Sequence, residues 1–150
     1  VMDKFTKELD AAMGKIIEYD RLAEKKPQDY GCGVLLHMGD IHMIEVIGNY
    51  PDHNVTELAD LRGVTKGTVS KMVRKLEKEG FIQRYQCKGN KKENYFKLTE
   101  LGKKAYEGHY AFHERKSKWT HDQYSKYTES EKKLLLNFLK MYAEYMKDYI

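Results

Sequence analysis

The stretch from Thr56 to Thr99 constrains this chain more than any other, because two helical patterns and a basic hairpin succeed one another there. In the first pattern Thr56 is a suitable N-cap, and Leu58, Ala59 and Leu61 form an apolar face. Arg62-Gly63-Val64 predicts a turn. Thr65 then caps a longer helix in which Val69, Met72, Val73 and Leu76 recur at the spacing of one buried face, and Gly80 stops it. Phe81-Ile82 anchors a hairpin: Arg84-Tyr85-Gln86 leads out, Lys88-Gly89-Asn90-Lys91-Lys92 forms the tip, and Asn94 to Leu98 leads back. Helix, turn, helix and wing predict a winged helix-turn-helix, an arrangement suited to reading duplex DNA.

The face of the second helix opposite its apolar stripe presents Lys66, Thr68, Ser70, Lys71 and Arg74, with Thr65 at its start. These side chains suit base edges and phosphates in a major groove. Arg84, Lys88, Lys91 and Lys92 give the wing a basic surface for phosphate contact. Between Arg62 and Lys97 there are eleven basic residues against three acidic ones, a local net charge of +8, whereas the whole chain carries only +4. The charge therefore coincides with the motif, and double-stranded DNA is the expected partner.

The remainder is helical in pattern. Phe5, Leu9, Ala12, Met13, Ile16 and Ile17 mark an amphipathic helix from Asp3 to about Lys26, ended before Pro27. Pro27 to Gly33 reads as a loop, and a second helix runs from about Gly39 to Asn49 with Ile41, Ile44 and Ile47 inward. After the wing, Thr99 opens a long helix to about Trp119. Thr128 and Glu131 form a capping box for a last helix with Leu135, Phe138, Leu139, Tyr142, Tyr145, Met146 and Tyr149 on one side. At 150 residues the chain reads as one domain, mainly α with a small β wing. Its apolar runs are too short to span a membrane and its charged N-terminus lacks a signal-peptide pattern, so the cytoplasm is the expected location. Cys32 and Cys87 fall in different regions and do not suggest a disulfide scaffold.

The ordered strings Val55-Thr56-Glu57-Leu58-Ala59, Val64 to Lys71, Leu76-Glu77-Lys78-Glu79-Gly80-Phe81-Ile82-Gln83-Arg84 and Leu98-Thr99-Glu100-Leu101-Gly102 resemble the MarR family of transcriptional regulators. The resemblance implies a single domain over 1–150, with a winged helix-turn-helix at about 38–100 and dimerisation helices at about 1–36 and 105–150. It also implies a homodimer whose paired recognition helices bind a pseudo-palindromic operator. One departure stands in the wing: Asn90-Lys91-Lys92 replaces the family's usual Asp-x-Arg, so the acid-braced arginine that enters a minor groove is missing.

Six histidines are present, and His109 and His113 differ from the others in lying four residues apart on one predicted helix, where both rings can reach one metal ion. The zinc-responsive branch of the MarR family, which this chain resembles, uses a carboxylate near the end of the first helix and a histidine eighteen residues later. It adds two histidines ten and fourteen residues after the Leu-Thr threonine. Glu24, His42, His109 and His113 occupy those places. The resemblance thus implies a closed three-imidazole, one-carboxylate Zn(II) site and operator binding strengthened by zinc, a repressor of zinc uptake. The branch's second site lacks two glutamates here, because Ile41 and Gly108 stand in their places; Cys32, Asp40 and Glu107 are the remaining donors.

A zincin-like metalloenzyme needs a glutamate directly after the first histidine, and Tyr110 follows His109, so no enzyme is expected. Within the regulator class two alternatives remain. In one, a small organic ligand among Trp119 and nearby tyrosines releases the DNA, with the histidines structural. In the other, Cys32 or Cys87 senses oxidation.

Overall fold

A computed structural model describes residues 2–148, leaving aside the side chain of Lys91. By its contacts the chain divides into two compact units, Val1–Tyr110 and Ala111–Ile150.

In the first unit, helix α1 (Lys4–Lys25) starts where the Asp3 carboxylate accepts from the Thr6 N–H at 2.9 Å. None of its residues is buried. The expected plain loop over 27–33 is instead part of a small hairpin: β1 (Gln28–Asp29) pairs antiparallel with β2 (Leu35–Leu36). A two-residue pair leaves no periodic signal. What organises it is the Asp29 carboxylate, which accepts from the N–H groups of Gly31, Cys32 and Gly33 at 2.8–3.0 Å.

Helix α2 (Met38–Asn49) buries Ile41, Met43, Ile44 and Ile47. Helix α3 (Val55–Arg62) begins one residue before Thr56, because Asn54 rather than Thr56 is the N-cap. The Asn54 side chain accepts from Glu57 N–H at 3.0 Å while the Glu57 carboxylate accepts from Asn54 N–H at 2.7 Å, a reciprocal capping box. Gly63 takes the left-handed conformation at φ +62° and turns the chain toward α4 (Lys66–Lys78), capped by Thr65 as expected. Val69, Val73 and Leu76 are buried, and they meet α2 and α3 in the core together with Phe81 and Phe96.

Strands β3 (Ile82–Cys87) and β4 (Asn90–Leu98) form the wing. Its turn is narrower than the sequence suggested: only Lys88 and Gly89 lie outside the strands, with Gly89 at φ +90°, and Asn90 to Lys92 already belong to β4. Helix α5 (Glu100–Tyr124) follows. The Thr99 hydroxyl donates to the Gly80 carbonyl at 2.6 Å and accepts from Gly102 N–H at 3.1 Å, locking the helix start to the end of α4. Gly102 is required there, since a Cβ would stand 2.0 Å from the Phe81 carbonyl oxygen. Helix α5 runs five residues past Trp119, its expected end.

In the second unit, the capping box of Thr128 and Glu131 opens α6 (Glu129–Lys147) as the sequence predicts. Leu134, Leu135, Leu136, Leu139, Met141 and Tyr145 are exposed along it. Tyr149, expected on the same helix, lies outside the described residues. Among the described residues, no helix is long and apolar enough to cross a membrane.

Candidate metal centre and nucleic-acid interface

Helices α2 and α5 approach one another along a line of paired residues. Tyr106 O–H donates to the Asn49 side chain at 2.7 Å. Nearer the start of α2, the His42 and His109 rings lie 5.3 Å apart between centroids. His113 follows His109 by one turn of the same unbroken helix, and the ligand nitrogens of His42, His109 and His113 all lie within 4.8 Å of one another. Three imidazole nitrogens within this distance compare with the spacing of about 3.4 Å set by zinc bonds of about 2.0–2.1 Å. The donor set fits Zn(II), and His109, 3% exposed, anchors it.

Glu24, expected to supply the carboxylate, is exposed near the end of α1 and is not part of this cluster. Glu45 brings a carboxylate to the cluster, its Oε2 lying 3.5 Å from His109 Nδ1. Sequence reading missed Glu45, although its place three residues after His42 puts both on one face of α2. It also missed Tyr30, whose buried ring meets His109 edge-on at 5.2 Å and whose phenol pKa burial pushes up.

Of the donors considered for a second site, Asp40 and Cys32 make other contacts. Asp40, 7% exposed, pairs with Lys75 Nζ at 2.5 Å, and that hydrogen bond raises the lysine pKa. Cys32 Sγ donates to the Val34 carbonyl at 3.5 Å, and Glu107 is exposed beside a groove formed by Ile47, Lys97 and Tyr106. Gly108 cannot be exchanged for the branch's glutamate without a backbone shift, because a Cβ there would fall 1.5 Å from the Tyr30 carbonyl oxygen. Ile41, the other replaced position, is fully buried.

The expected DNA-contacting residues lie along α4 and the wing. Thr65, Lys66, Thr68, Lys71 and Arg74 are exposed and Ser70 is half-buried. The hydroxyls of Thr65 and Thr68 hydrogen-bond each other at 2.9 Å, which fixes their orientation at the helix start. Arg74 Nε donates to the Ser70 carbonyl at 3.1 Å, holding the guanidinium along the helix. Arg84 lies over the Phe96 ring and pairs with Glu77 at 3.0 Å, so it braces β3 against α4. Lys88 and Lys92 are exposed. Asn90 accepts from Lys92 N–H at 3.2 Å and donates to Glu93 at 3.0 Å. Glu93 in turn accepts from the Tyr95 hydroxyl at 2.9 Å, and that bond pushes the phenol pKa up to about 12. Asn90 therefore braces β4 where the family carries an aspartate. Of the residues considered for the alternatives, Trp119 is 66% exposed in the second unit, Cys32 is half-buried and Cys87 is exposed.

The fold and these surfaces define a winged helix-turn-helix protein with an imidazole cluster between α2 and α5. The chain belongs to the MarR family, whose family model matches residues 36–93. The HTH-type transcriptional regulator BilQ of Clostridium symbiosum (strain WAL-14163) is 31% identical over 105 residues, 69% of this chain and 70% of that protein. The uncharacterised HTH-type transcriptional regulator YhjH of Bacillus subtilis (strain 168) is 37% identical over 103 residues, 69% of this chain and 59% of that protein. The chain thus spans about three fifths of that relative's length. Among solved structures, the fold is similar to that of Lactococcus lactis ZitR, a zinc-responsive MarR family member. The TM-score is 0.78 at 17% identity, covering 95% of this chain and 99% of that one. ZitR in complex with DNA is similar at a TM-score of 0.77, with 19% identity and coverage of 97% and 99%.

Proposed function

We propose that this protein is a homodimeric transcriptional regulator that binds pseudo-palindromic operator DNA through α4 and the wing, and that Zn(II) held by His42, His109 and His113, with the Glu24 carboxylate joining as fourth donor only when the metal binds, controls that binding. The observation that carries the metal part is the convergence of His42, His109 and His113. Their spacing in the sequence and the fold shared with a zinc-responsive regulator support it. For DNA binding, the support is the basic face of α4 and the similarity to ZitR in complex with DNA. For the dimer, it is the run of large apolar side chains exposed on α1 and α6, among them Phe5, Ile16, Leu22, Leu134 and Leu136.

Zn(II), when bound, supplies a cross-link between imidazoles of α2 and α5. Helix α2 packs on α3, α4 and β4, so His42 is fixed to the reading head. His109 and His113 lie on the helix that leaves the wing. Holding them against His42 fixes the direction in which α5 departs, and in a dimer that direction sets the spacing of the two recognition helices. The linkage favours the DNA-fitting arrangement, with a coupling on the order of 1–3 kcal/mol. The sign is co-repression, so zinc scarcity releases the operator.

The test is a zinc titration against a competing chelator, with operator binding measured in the same samples. About one tight zinc per chain, lost in His109→Ala/His113→Ala, together with zinc-strengthened DNA binding, is the expected result. Zinc-weakened DNA binding would reverse the sign. Absence of a tight site would remove zinc control and leave the winged-helix regulator.

A further inference from the structure

We propose that Glu45 is a positioning residue for this metal centre: its carboxylate accepts from the Nδ1–H of His109, keeps the proton on that nitrogen and so presents Nε2 of the ring to His42 and His113. The inference rests on the zinc reading for its purpose, but not for its geometry.

His109 is the most enclosed member of the cluster, its side chain only 4% exposed. A neutral imidazole carries one N–H and one acceptor nitrogen, and the protonated nitrogen cannot bind a metal. For a ring so enclosed, protein groups decide which nitrogen keeps the proton. Glu45 Oε2 stands 3.5 Å from Nδ1, a separation that a small side-chain adjustment closes to a hydrogen bond. The Glu45 side chain is 41% exposed, so the carboxylate meets solvent while its Oε2 faces the ring. The Tyr30 ring, edge-on at 5.2 Å, limits ring rotation on another side.

Glu45 touches His109 but falls outside the group formed by the three histidines, which assigns it an outer role rather than that of a ligand. The arrangement is economical in sequence. Helix α2 supplies a ligand at His42 and, one turn on, the carboxylate that sets the tautomer of a ligand on the facing helix. Carboxylates in this outer position fix ring orientation and raise ligand basicity, and losing one typically costs about 10–100-fold in metal affinity.

The experiment compares wild type, Glu45→Ala, Glu45→Gln and Glu24→Gln by two readouts. One is zinc affinity by chelator competition. The other is the His109 tautomer in metal-free protein, read from long-range ¹H–¹⁵N couplings of the imidazole ring. Expected are an Nδ1-protonated His109 in wild type and mixed tautomers in Glu45→Ala. Zinc affinity should fall about 10–100-fold in Glu45→Ala, with Glu45→Gln in between because its amide oxygen still accepts a hydrogen bond from Nδ1–H. Glu24→Gln should leave the tautomer unchanged.

A His109 protonated on Nε2 in wild type, or a tautomer indifferent to Glu45→Ala, would overturn the proposal. So would zinc affinity unchanged in Glu45→Ala when wild type binds tightly. If wild type binds no zinc, the metal reading fails by itself, and the tautomer measurement still decides whether Glu45 holds the His109 proton. Should Glu45→Ala fail to fold, the Glu45→Gln series carries the same comparison.

Discussion

Lys75 Nζ, on the recognition helix, meets Asp40 Oδ2, on the helix that also carries His42, at 2.5 Å. Asp40 is nearly enclosed while Lys75 remains about half exposed, so the pair is asymmetric. Removing the lysine strands a buried carboxylate. Lys75→Met should destabilise the fold by about 1–3 kcal/mol, read as a lower midpoint in urea at unchanged slope. Because the lysine pKa is raised in the folded state, the contribution is complete below the ordinary lysine pKa of 10.5 and is lost as pH rises through the higher folded value. The stability difference between wild type and Lys75→Met should therefore stay level through neutral pH and shrink only above about 10.5.

Chelation should act on DNA binding and not on the fold of the reading head. The cluster lies between α2 and α5, while Val69, Leu76, Phe81 and Phe96 close the core of the reading head without any metal-binding group. Removing zinc should weaken operator affinity about 5–150-fold, measured by fluorescence anisotropy, with little change in far-ultraviolet circular dichroism. His113→Ala should mimic the chelator. Collapse of the helical signal on chelation would instead mark zinc as a folding element.

The wing should contribute charge more than sequence reading. Lys88 and Lys92 are exposed, whereas Asn90 spends its side chain on Lys92 N–H and Glu93. Lys88→Ala and Lys92→Ala should each lower affinity for operator and unrelated DNA alike, and each should reduce the salt dependence of binding by about one charge. Lys71→Ala and Ser70→Ala, on α4, should change the preference among operator variants.

Gly108 should tolerate no side chain. With the Tyr30 carbonyl oxygen 1.5 Å from the site of a Cβ, Gly108→Ala must push α5 away from the β1–β2 hairpin. A loss of about 3 kcal/mol is expected, visible as a lower thermal midpoint. Zinc affinity should fall with it, since the same displacement moves His109. Gly14→Ala, in open space on α1, is the control and should be neutral or stabilising.

Much of the fold was legible because its signals are local. A threonine N-cap before a periodic helix, a glycine at its end and a basic hairpin report on neighbours in the chain, and α4, the wing and the capping box of α6 lie where those signals put them. The misreadings share a cause. Asn54 was hidden as the cap of α3 because Thr56 also offers a suitable hydroxyl, and the extended backbone of Asn54 with its Glu57 capping box decides between them. The β1–β2 hairpin depends on one carboxylate gathering three N–H groups, a pattern without periodicity.

The candidate site divides in the same way. The i, i+4 spacing put His109 and His113 on one side of a helix, since helical geometry alone fixes that. Residues on different elements are another matter, because chain separation says nothing of distance until the core closes. Only the packing of α2 against α5 brought His42 to His109 and set Glu45 against its ring, while leaving Glu24 exposed outside the cluster. Likewise, only packing coupled Asp40 to Lys75 and pressed Gly108, legible in the sequence as a missing donor, against the Tyr30 carbonyl. Local hydrogen bonding and periodicity are written residue by residue, but burial and the choice of partners belong to the whole folded chain.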